Sequence, residues 1–177
     1  ARRQRQMCIR DSSVPTPSNK DGSISLKILE ECLQNIYVIA EEARAYDAIF
    51  LVRSTVVPGT TRNLQNKFPK IKIVFNPEFL TERSAHFDFI SQTRFIVGGD
   101  PSNVSEVSKL YKHRFGKIIS IIETDFESAE LTKYVCNTFF ATKISFLNEM
   151  RLLSEKVNAN WDDVIEGFLG DGRIGHS

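Results

Sequence analysis

The sequence predicts an α/β protein: a parallel sheet covered by helices, followed by an all-helical segment containing one long helix. Three observations carry this expectation. Short apolar runs alternate with helical patterns up to Ile122, and such alternation builds parallel sheets with helical crossovers. From Thr124 to about Val157 neither Gly nor Pro occurs. An uninterrupted helix of ~30 residues is a rod of roughly 45 Å. The chain of 177 residues is 41% hydrophobic and 25% charged, a composition that favours a packed globular protein over disorder.

The elements follow in order. Residues 1 to 12, rich in Arg and Gln, show neither helical nor strand periodicity and are expected to be a foreign or disordered tail. Val14-Pro15-Thr16-Pro17 reads as a strand end entering a loop, because Pro disfavours helix at the residue before it. Asp21-Gly22 marks a turn. Leu26, Leu29, Leu33, Ile36, Tyr37 and Ala40 share helical spacing within a helix from Leu26 to Ala45. Ala48 to Val52 is a short apolar run, expected as a buried strand.

Pro58-Gly59 then breaks the chain, and Thr60 can cap a helix reaching about Phe68. Ile71 to Phe75 and Arg94 to Gly99 read as strands. Asp100-Pro101 suits a helix start, with Asp as cap and Pro at the first helical position, and the helix should run to about Phe115. Lys117 to Ile122 reads as one more strand. Thr124-x-x-Glu127 forms a capping box ahead of the long helix. Asn160 caps a shorter helix, Trp161 to Leu169, which Gly170, Gly172 and Gly175 end. The change from sheet to helices is expected near Ile122 to Asp125.

Composition also excludes some functions. The net charge is +1, with no long single-sign run beyond the basic start, so nucleic-acid binding lacks electrostatic support. Cys8, Cys32 and Cys136 are far apart, and no Cys-x-x-Cys pair or zinc-spaced His occurs. No metal site is expected, and a reducing, cytoplasmic compartment is the simplest reading. No apolar run approaches the ~20 residues of a membrane-spanning helix.

Four segments go beyond fold. Ser54-Thr55 directly follows a strand, and ligands in open α/β sheets bind outside the carboxyl ends of strands. The bland alternative is a hydroxyl pair that only caps backbone groups. Asn76-Pro77-Glu78-Phe79-Leu80-Thr81-Glu82 also follows a strand. If it turns helical, Glu78 and Glu82 share a face; otherwise it is a solvated acidic turn. Lys133 and Asn137 lie four apart on the long helix. An ammonium beside an amide suits an oxyanion, although a snorkelling Lys beside a packing Asn gives the same pattern. Asp171-Gly172-Arg173-Ile174-Gly175 places an Arg between glycines, where it can approach a phosphate or sugar closely. A plain helix-ending loop is the alternative.

Singly these signals are weak, but their order is specific. Ser54-Thr55, Asn76-Pro77-Glu78-Phe79-Leu80-x-Glu82, Ala129-Glu130-x-x-Lys133-x-x-x-Asn137, Asn148-Glu149 and Asp171-x-Arg173-Ile174-Gly175 occur in that sequence. From about Val14 to Ser177 the chain resembles the UDP-glucose/GDP-mannose dehydrogenase family.

The resemblance implies a Rossmann-like NAD-binding domain, of which residues 13–123 would be the C-terminal half. Residues 124–177 would begin a central helical dimerisation domain. NAD is the implied cofactor. Val14, Pro15, Thr16, Pro17, Ser54 and Thr55 would line its site, with Glu82 bordering cofactor and substrate. Glu78 would be the acid/base, acting through a water with Thr55. Lys133 and Asn137 would stabilise oxyanions, Phe79 and Leu80 would border the sugar, and Arg173 would reach the nucleotide sugar, across a dimer if there is one. The implied reaction oxidises the C6 alcohol of UDP-glucose to a carboxylate through a cysteine thioester. GDP-mannose and UDP-N-acetylmannosamine are alternative substrates, and a non-catalytic helical dimerisation module is the alternative of another class.

Departures from the family are equally plain. No G-x-G-x-x-G occurs, none of the three cysteines sits in a Gly-rich segment, and Arg83 stands where the family often has Gly. The chain is therefore expected to be an internal piece of a dehydrogenase, inactive alone.

Overall fold

The computed structural model describes residues 9–80 and 83–174. Along the chain run β1 (Ile9–Ser12), α1 (Lys27–Ala43), β2 (Ile49–Val52), α2 (Thr60–Lys67), β3 (Lys72–Phe75), α3 (Ala85–Ile90), β4 (Arg94–Gly99), α4 (Pro101–Phe115), β5 (Ser120–Thr124), α5 (Phe126–Lys156) and α6 (Trp161–Leu169). The strands form one five-stranded sheet in the order β1-β2-β3-β4-β5.

Two expectations need correction. Ile9–Ser12 pair in parallel with Ile49–Val52, so these four residues are a strand and not a patternless tail; residues 1 to 8 lie outside the described residues. The sheet is also not wholly parallel. β3 and β4 run antiparallel, joined at Val74↔Gly99 and Phe75↔Gly98, while β1-β2, β2-β3 and β4-β5 are parallel. An antiparallel neighbour needs no helical crossover, which frees the β3–β4 connection to carry the loop from Asn76 and the short α3.

By packing, the chain divides into two compact units, residues 1–134 and 135–177. The first unit extends into α5 because Phe126, Ala129, Glu130 and Lys133 are all buried in it. Its strands β2, β3 and β4 bury both faces, as the uninterrupted apolar runs anticipated. Phe50, Val52, Ile73, Phe75 and Ile96 point into one core with Leu29 and Leu33 of α1, Leu64 of α2 and Phe126 of α5. Ile49, Leu51, Val74, Phe95 and Val97 point into the other, with Val104, Val107 and Tyr111 of α4. Each fully buried side chain of this size contributes about 1.5–3 kcal/mol relative to exposure. Phe95 and Tyr111 stack with ring centroids 4.1 Å apart.

Two helix starts differ from expectation in an instructive way. Gly59, with φ 92, is the N-cap of α2, and Thr60 is already helical. The carboxylate of Glu130 accepts from the Gly59 N–H (2.6 Å) and the Thr61 N–H (2.7 Å), supplying from α5 the cap that Thr60 does not. At α5, Asp125 caps the helix in place of Thr124, its Oδ1 accepting from the Ser128 N–H at 2.7 Å; Thr124 is committed to β5. At α4 the expectation holds: Asp100 is the N-cap and Pro101 the first helical residue, although the Asp100 side chain makes no cap hydrogen bond. At α6 the expectation holds: Asn160 Oδ1 accepts from the Asp162 N–H.

The second unit comprises the later part of α5, then α6 and the turn at Asp171 to Ile174. Phe146, Met150, Leu153, Trp161, Ile165 and Phe168 line an apolar cavity of about 300 Å³ within it. Among the described residues, no helix is long and apolar enough to cross a membrane.

Candidate functional site

The site of the first unit grows from three loops at the carboxyl ends of β1, β2 and β3. The first two are clipped together by their own hydroxyls. Ser54 Oγ donates to the Val14 carbonyl at 2.6 Å, and Thr16 Oγ1 donates to the Thr55 carbonyl at 2.8 Å. Between them opens a cleft of about 320 Å³ lined by Ser13, Val14, Pro15, Thr16, Arg53, Ser54, Thr55 and Glu78. Segments separated by tens of residues in sequence thus converge on one polar, carbonyl- and hydroxyl-rich wall.

The third loop is anchored by Asn76, which is fully buried. Its backbone N–H donates to the Val52 carbonyl at 2.9 Å, and its Nδ2 donates to the Ile96 carbonyl at 2.7 Å. The Tyr111 hydroxyl donates to its Oδ1 at 2.5 Å. One residue, through its backbone N–H and its side-chain amide, therefore ties the end of β3 to β2, β4 and α4, and fixes where Pro77-Glu78 emerges. Residues 76–80 are not helical.

Lys133 closes the arrangement from α5. It is 6% exposed, and its Nζ donates to the Glu78 carbonyl at 2.5 Å. The same ammonium lies 5.1 Å from the Phe79 ring centre, while the Arg94 guanidinium lies 5.0 Å from it. A buried ammonium held by a carbonyl and a ring face is an immobilised positive charge, and the snorkelling alternative does not apply to it. One turn earlier, Glu130 is wholly buried. Loss of hydration raises its carboxyl above the ordinary value, opposed by the hydrogen bonds from Thr61 and Gly59.

The structure therefore brings together Val14, Pro15, Thr16, Ser54, Thr55 and Glu78, with Lys133 in contact with Glu78. Pro17 lies outside the cleft lining; its carbonyl accepts from the Ser25 N–H at 2.8 Å. Phe79 packs on the hydrophobic core, and Leu80 is half-buried beside it in sequence. Glu82 lies outside the described residues. Asn137 and Arg173 belong to the second unit. Asn137 is exposed, and Arg173 is held by Asp171 through Nε (2.9 Å to Oδ1) and Nη2 (2.5 Å to Oδ2). The hydrogen bond from Arg173 is the main cause that lowers the Asp171 carboxyl below its ordinary value.

Sequence reasoning did not assign roles to Asn76, Tyr111, Arg53 or Glu130. Glu130 did carry a signal: an acid next to Ala129 on a face that also holds Phe126 has to find buried donors.

The residues present fit a dinucleotide. The cleft lies outside the carboxyl ends of parallel strands, offers carbonyls and hydroxyls, and has room for part of such a molecule. Sheet and cleft together have the form of a nucleotide-binding α/β domain.

Comparison with known proteins makes the assignment specific. Residues 7–115 match the family model described as UDP-glucose/GDP-mannose dehydrogenase family, NAD binding domain, and residues 127–177 match the central domain of the same family. The chain belongs to the UDP-glucose/GDP-mannose dehydrogenase family. It is 34% identical over 170 residues to a UDP-glucose 6-dehydrogenase of Rickettsia felis, covering 93% of this chain and 37% of that protein. Among solved structures, a UDP-glucose dehydrogenase from Pyrobaculum islandicum superposes with TM-score 0.79 at 32% identity, over 95% of this chain and 40% of that one. A ternary complex of a GDP-mannose dehydrogenase from Pseudomonas aeruginosa superposes with TM-score 0.82 at 26% identity, over 93% and 39%. The chain thus spans about two fifths of the length of these relatives.

Proposed function

We propose that this chain is a portion of a nucleotide-sugar dehydrogenase that oxidises the C6 alcohol of UDP-glucose to the carboxylate. The observation that carries the proposal is the meeting of Ser54, Thr55 and Glu78 in one cleft, with the buried Lys133 bonded to the Glu78 loop. NAD, when bound, supplies the hydride acceptor for both oxidations. Val14, Pro15, Thr16, Ser54 and Thr55 form its wall, with Pro17 continuing the first loop beyond it, and Glu82 borders cofactor and sugar.

Glu78 acts as the acid/base, with Thr55 orienting a water between them. Lys133 supplies a fixed positive charge for the oxyanion of each tetrahedral intermediate, aided by Asn137. Phe79 and Leu80 border the sugar, and Arg173 exchanges part of its bonding to Asp171 for the nucleotide sugar. Between the two hydride transfers a cysteine thiolate adds to the aldehyde, and the second transfer leaves a thioester that water hydrolyses. Neither Cys32 nor Cys136 lines the cleft, so this reading takes the nucleophile, and the phosphate-binding G-x-G-x-x-G loop, from outside this chain. Residues 13–123 and 124–177 then stand as parts of the cofactor-binding and central domains.

The test is the complete protein, purified and assayed for NADH with UDP-glucose and, in parallel, with GDP-mannose. Two NADH formed per UDP-glucose consumed is the expected result; no NADH with either sugar sinks the reading. GDP-mannose is the second reading because the Pseudomonas aeruginosa enzyme superposes well, and turnover of that sugar alone would move the assignment to it. The present chain assayed alone is expected to give no NADH.

We also propose a homodimer in the cytoplasm, formed through the second unit. Phe139, Phe140 and Ile144 of α5 are about half or more exposed, and contiguous apolar surface of this kind marks an interface. Sedimentation of the complete protein should show a dimer, weakened by Ile144→Glu. A monomer in the wild type would refute it.

A further inference from the structure

Two loops of the cleft are tied to α5 by residues one turn apart. Lys133 holds the loop after β3 through the Glu78 carbonyl. Glu130 holds the loop after β2 through the Gly59 and Thr61 amides. That second loop begins at Arg53-Ser54-Thr55, and Val56 anchors it in the core with no exposure. A third contact sets the depth of the helix: an added Cβ on Gly98 of β4 would lie 2.4 Å from the Ala129 Cβ, so β4 and α5 approach as closely as glycine allows. Ala129, Glu130 and Lys133 therefore act on the sheet end, the Thr55 loop and the Glu78 loop respectively.

A wholly buried carboxylate is expensive to desolvate, and a polar group could cap α2 more cheaply from Thr60 itself. What Glu130 provides in addition is a rigid connection across seventy residues of sequence, with two charge-assisted bonds in bidentate form. Resting on the dehydrogenase reading above, we propose that Glu130 is a positioning residue: it sets the Ser54-Thr55 loop at working distance from Lys133 and Glu78 by bonding the amides of Gly59 and Thr61. Glu130 does not touch the cleft; it acts through the loop it holds. Neighbouring Glu127 is different in kind, being half-exposed and paired with Arg62 at 2.9 Å.

The experiment uses the complete enzyme with Glu130→Gln, Glu130→Asp and, as control, Glu127→Ala. A Gln of the same shape turns an NH₂ toward one of the two amides, and Asp is too short to reach both. Turnover per folded enzyme should fall ~100-fold in Glu130→Gln, the scale of a 1 Å misplacement. The KM for the sugar should stay within about threefold, Glu130→Asp should recover part of the loss, and Glu127→Ala should match the wild type. A folded Glu130→Gln enzyme with a lowered melting temperature and unchanged turnover overturns the proposal, because that is a purely structural role. Should neither variant fold, amide exchange of the wild-type chain decides: Gly59 and Thr61 amides exchanging as fast as exposed loop amides overturn it, and protection equal to that of the β2 and β3 amides supports it. Wild-type enzyme without turnover would refute the dehydrogenase reading and leave the exchange result standing.

Discussion

The two units of the chain treat their apolar side chains in opposite ways. In residues 1–134 the strands β2, β3 and β4 are buried on both faces and their large residues are nearly all hidden. In residues 135–174 only Ser154 is buried, while Phe139, Ile144, Leu152 and Val157 are 58%, 61%, 60% and 62% exposed. At about 25 cal/mol per Å² of apolar surface, that unit, with almost no buried side chain of its own, gains more for its length by being covered than the first, where Ile39, Phe87, Ile90 and Ile118 are exposed too. The lesson concerns the site. Ser54, Thr55, Glu78 and Lys133 sit on a frame that holds itself. Asn137 and Arg173 sit on one whose apolar surface is still open.

The sharpest way to break that contrast is to remove one site residue from each unit in the complete enzyme. Lys133→Ala removes a buried charge, which on the proposed reading serves the oxyanion, and frees the Glu78 loop. Turnover should fall by ~10²–10³, the cost of losing one such donor, with little change in the sugar's KM. Arg173→Ala removes an exposed, Asp171-paired cation; its effect should fall on KM, by about tenfold or more for a lost charge-assisted hydrogen bond. Steady-state kinetics of both variants decide it. A Lys133→Ala loss confined to KM would contradict the oxyanion role.

The next contrast is one of packing. An added Cβ at Gly98 would lie 2.4 Å from the Ala129 Cβ and 2.6 Å from the Asp125 carbonyl oxygen, whereas one at Gly172 would meet nothing within 4 Å. Gly98→Ala should destabilise the first unit by about 1–3 kcal/mol, the usual cost of overpacking. Gly172→Ala should leave urea unfolding unchanged within about 0.5 kcal/mol. Equal midpoints for the two variants would mean that β4 and α5 separate at little cost.

How much of this was legible beforehand follows the same division. Strands and helices of the first unit were readable because apolar runs and helical periodicity are local signals. Ala48 to Val52 and Arg94 to Gly99 needed no tertiary information. The antiparallel β3–β4 pair was not readable, since the Asn76 to Thr93 connection fits either strand direction. Strand β1 was hidden because Ile9-Arg10-Asp11-Ser12 lacks apolar alternation and is held by pairing with β2. Of the residues that line the cleft, Ser54, Thr55 and Glu78 were singled out from their place after strands. Glu130 was passed over because its partners are backbone amides some seventy positions away, which no side-chain pattern reveals. Thr60 and Thr124 were read as caps on local preference; a distant carboxylate and the neighbouring Asp125 took those roles.

That last substitution of roles gives the smallest effect and the most direct test of local reasoning. Asp125 accepts from the Ser128 N–H and, through Oδ2, from the Ser128 hydroxyl at 2.9 Å. Asp125→Ala should cost ~1 kcal/mol as a lost N-cap, and Thr124→Ala should cost less than about half of that. The Ser128 bonds, backbone first, hold the Asp125 carboxyl below its ordinary value of 3.8. A carboxyl depressed in the folded state adds stability that is present above 3.8 and lost as pH falls through the folded value. Urea unfolding followed from pH 5 downward should therefore show a steeper acid loss in the wild type than in Asp125→Ala, with the two curves converging at the acid end. Parallel curves would mean that the carboxylate is not the cap, and would return that role to Thr124.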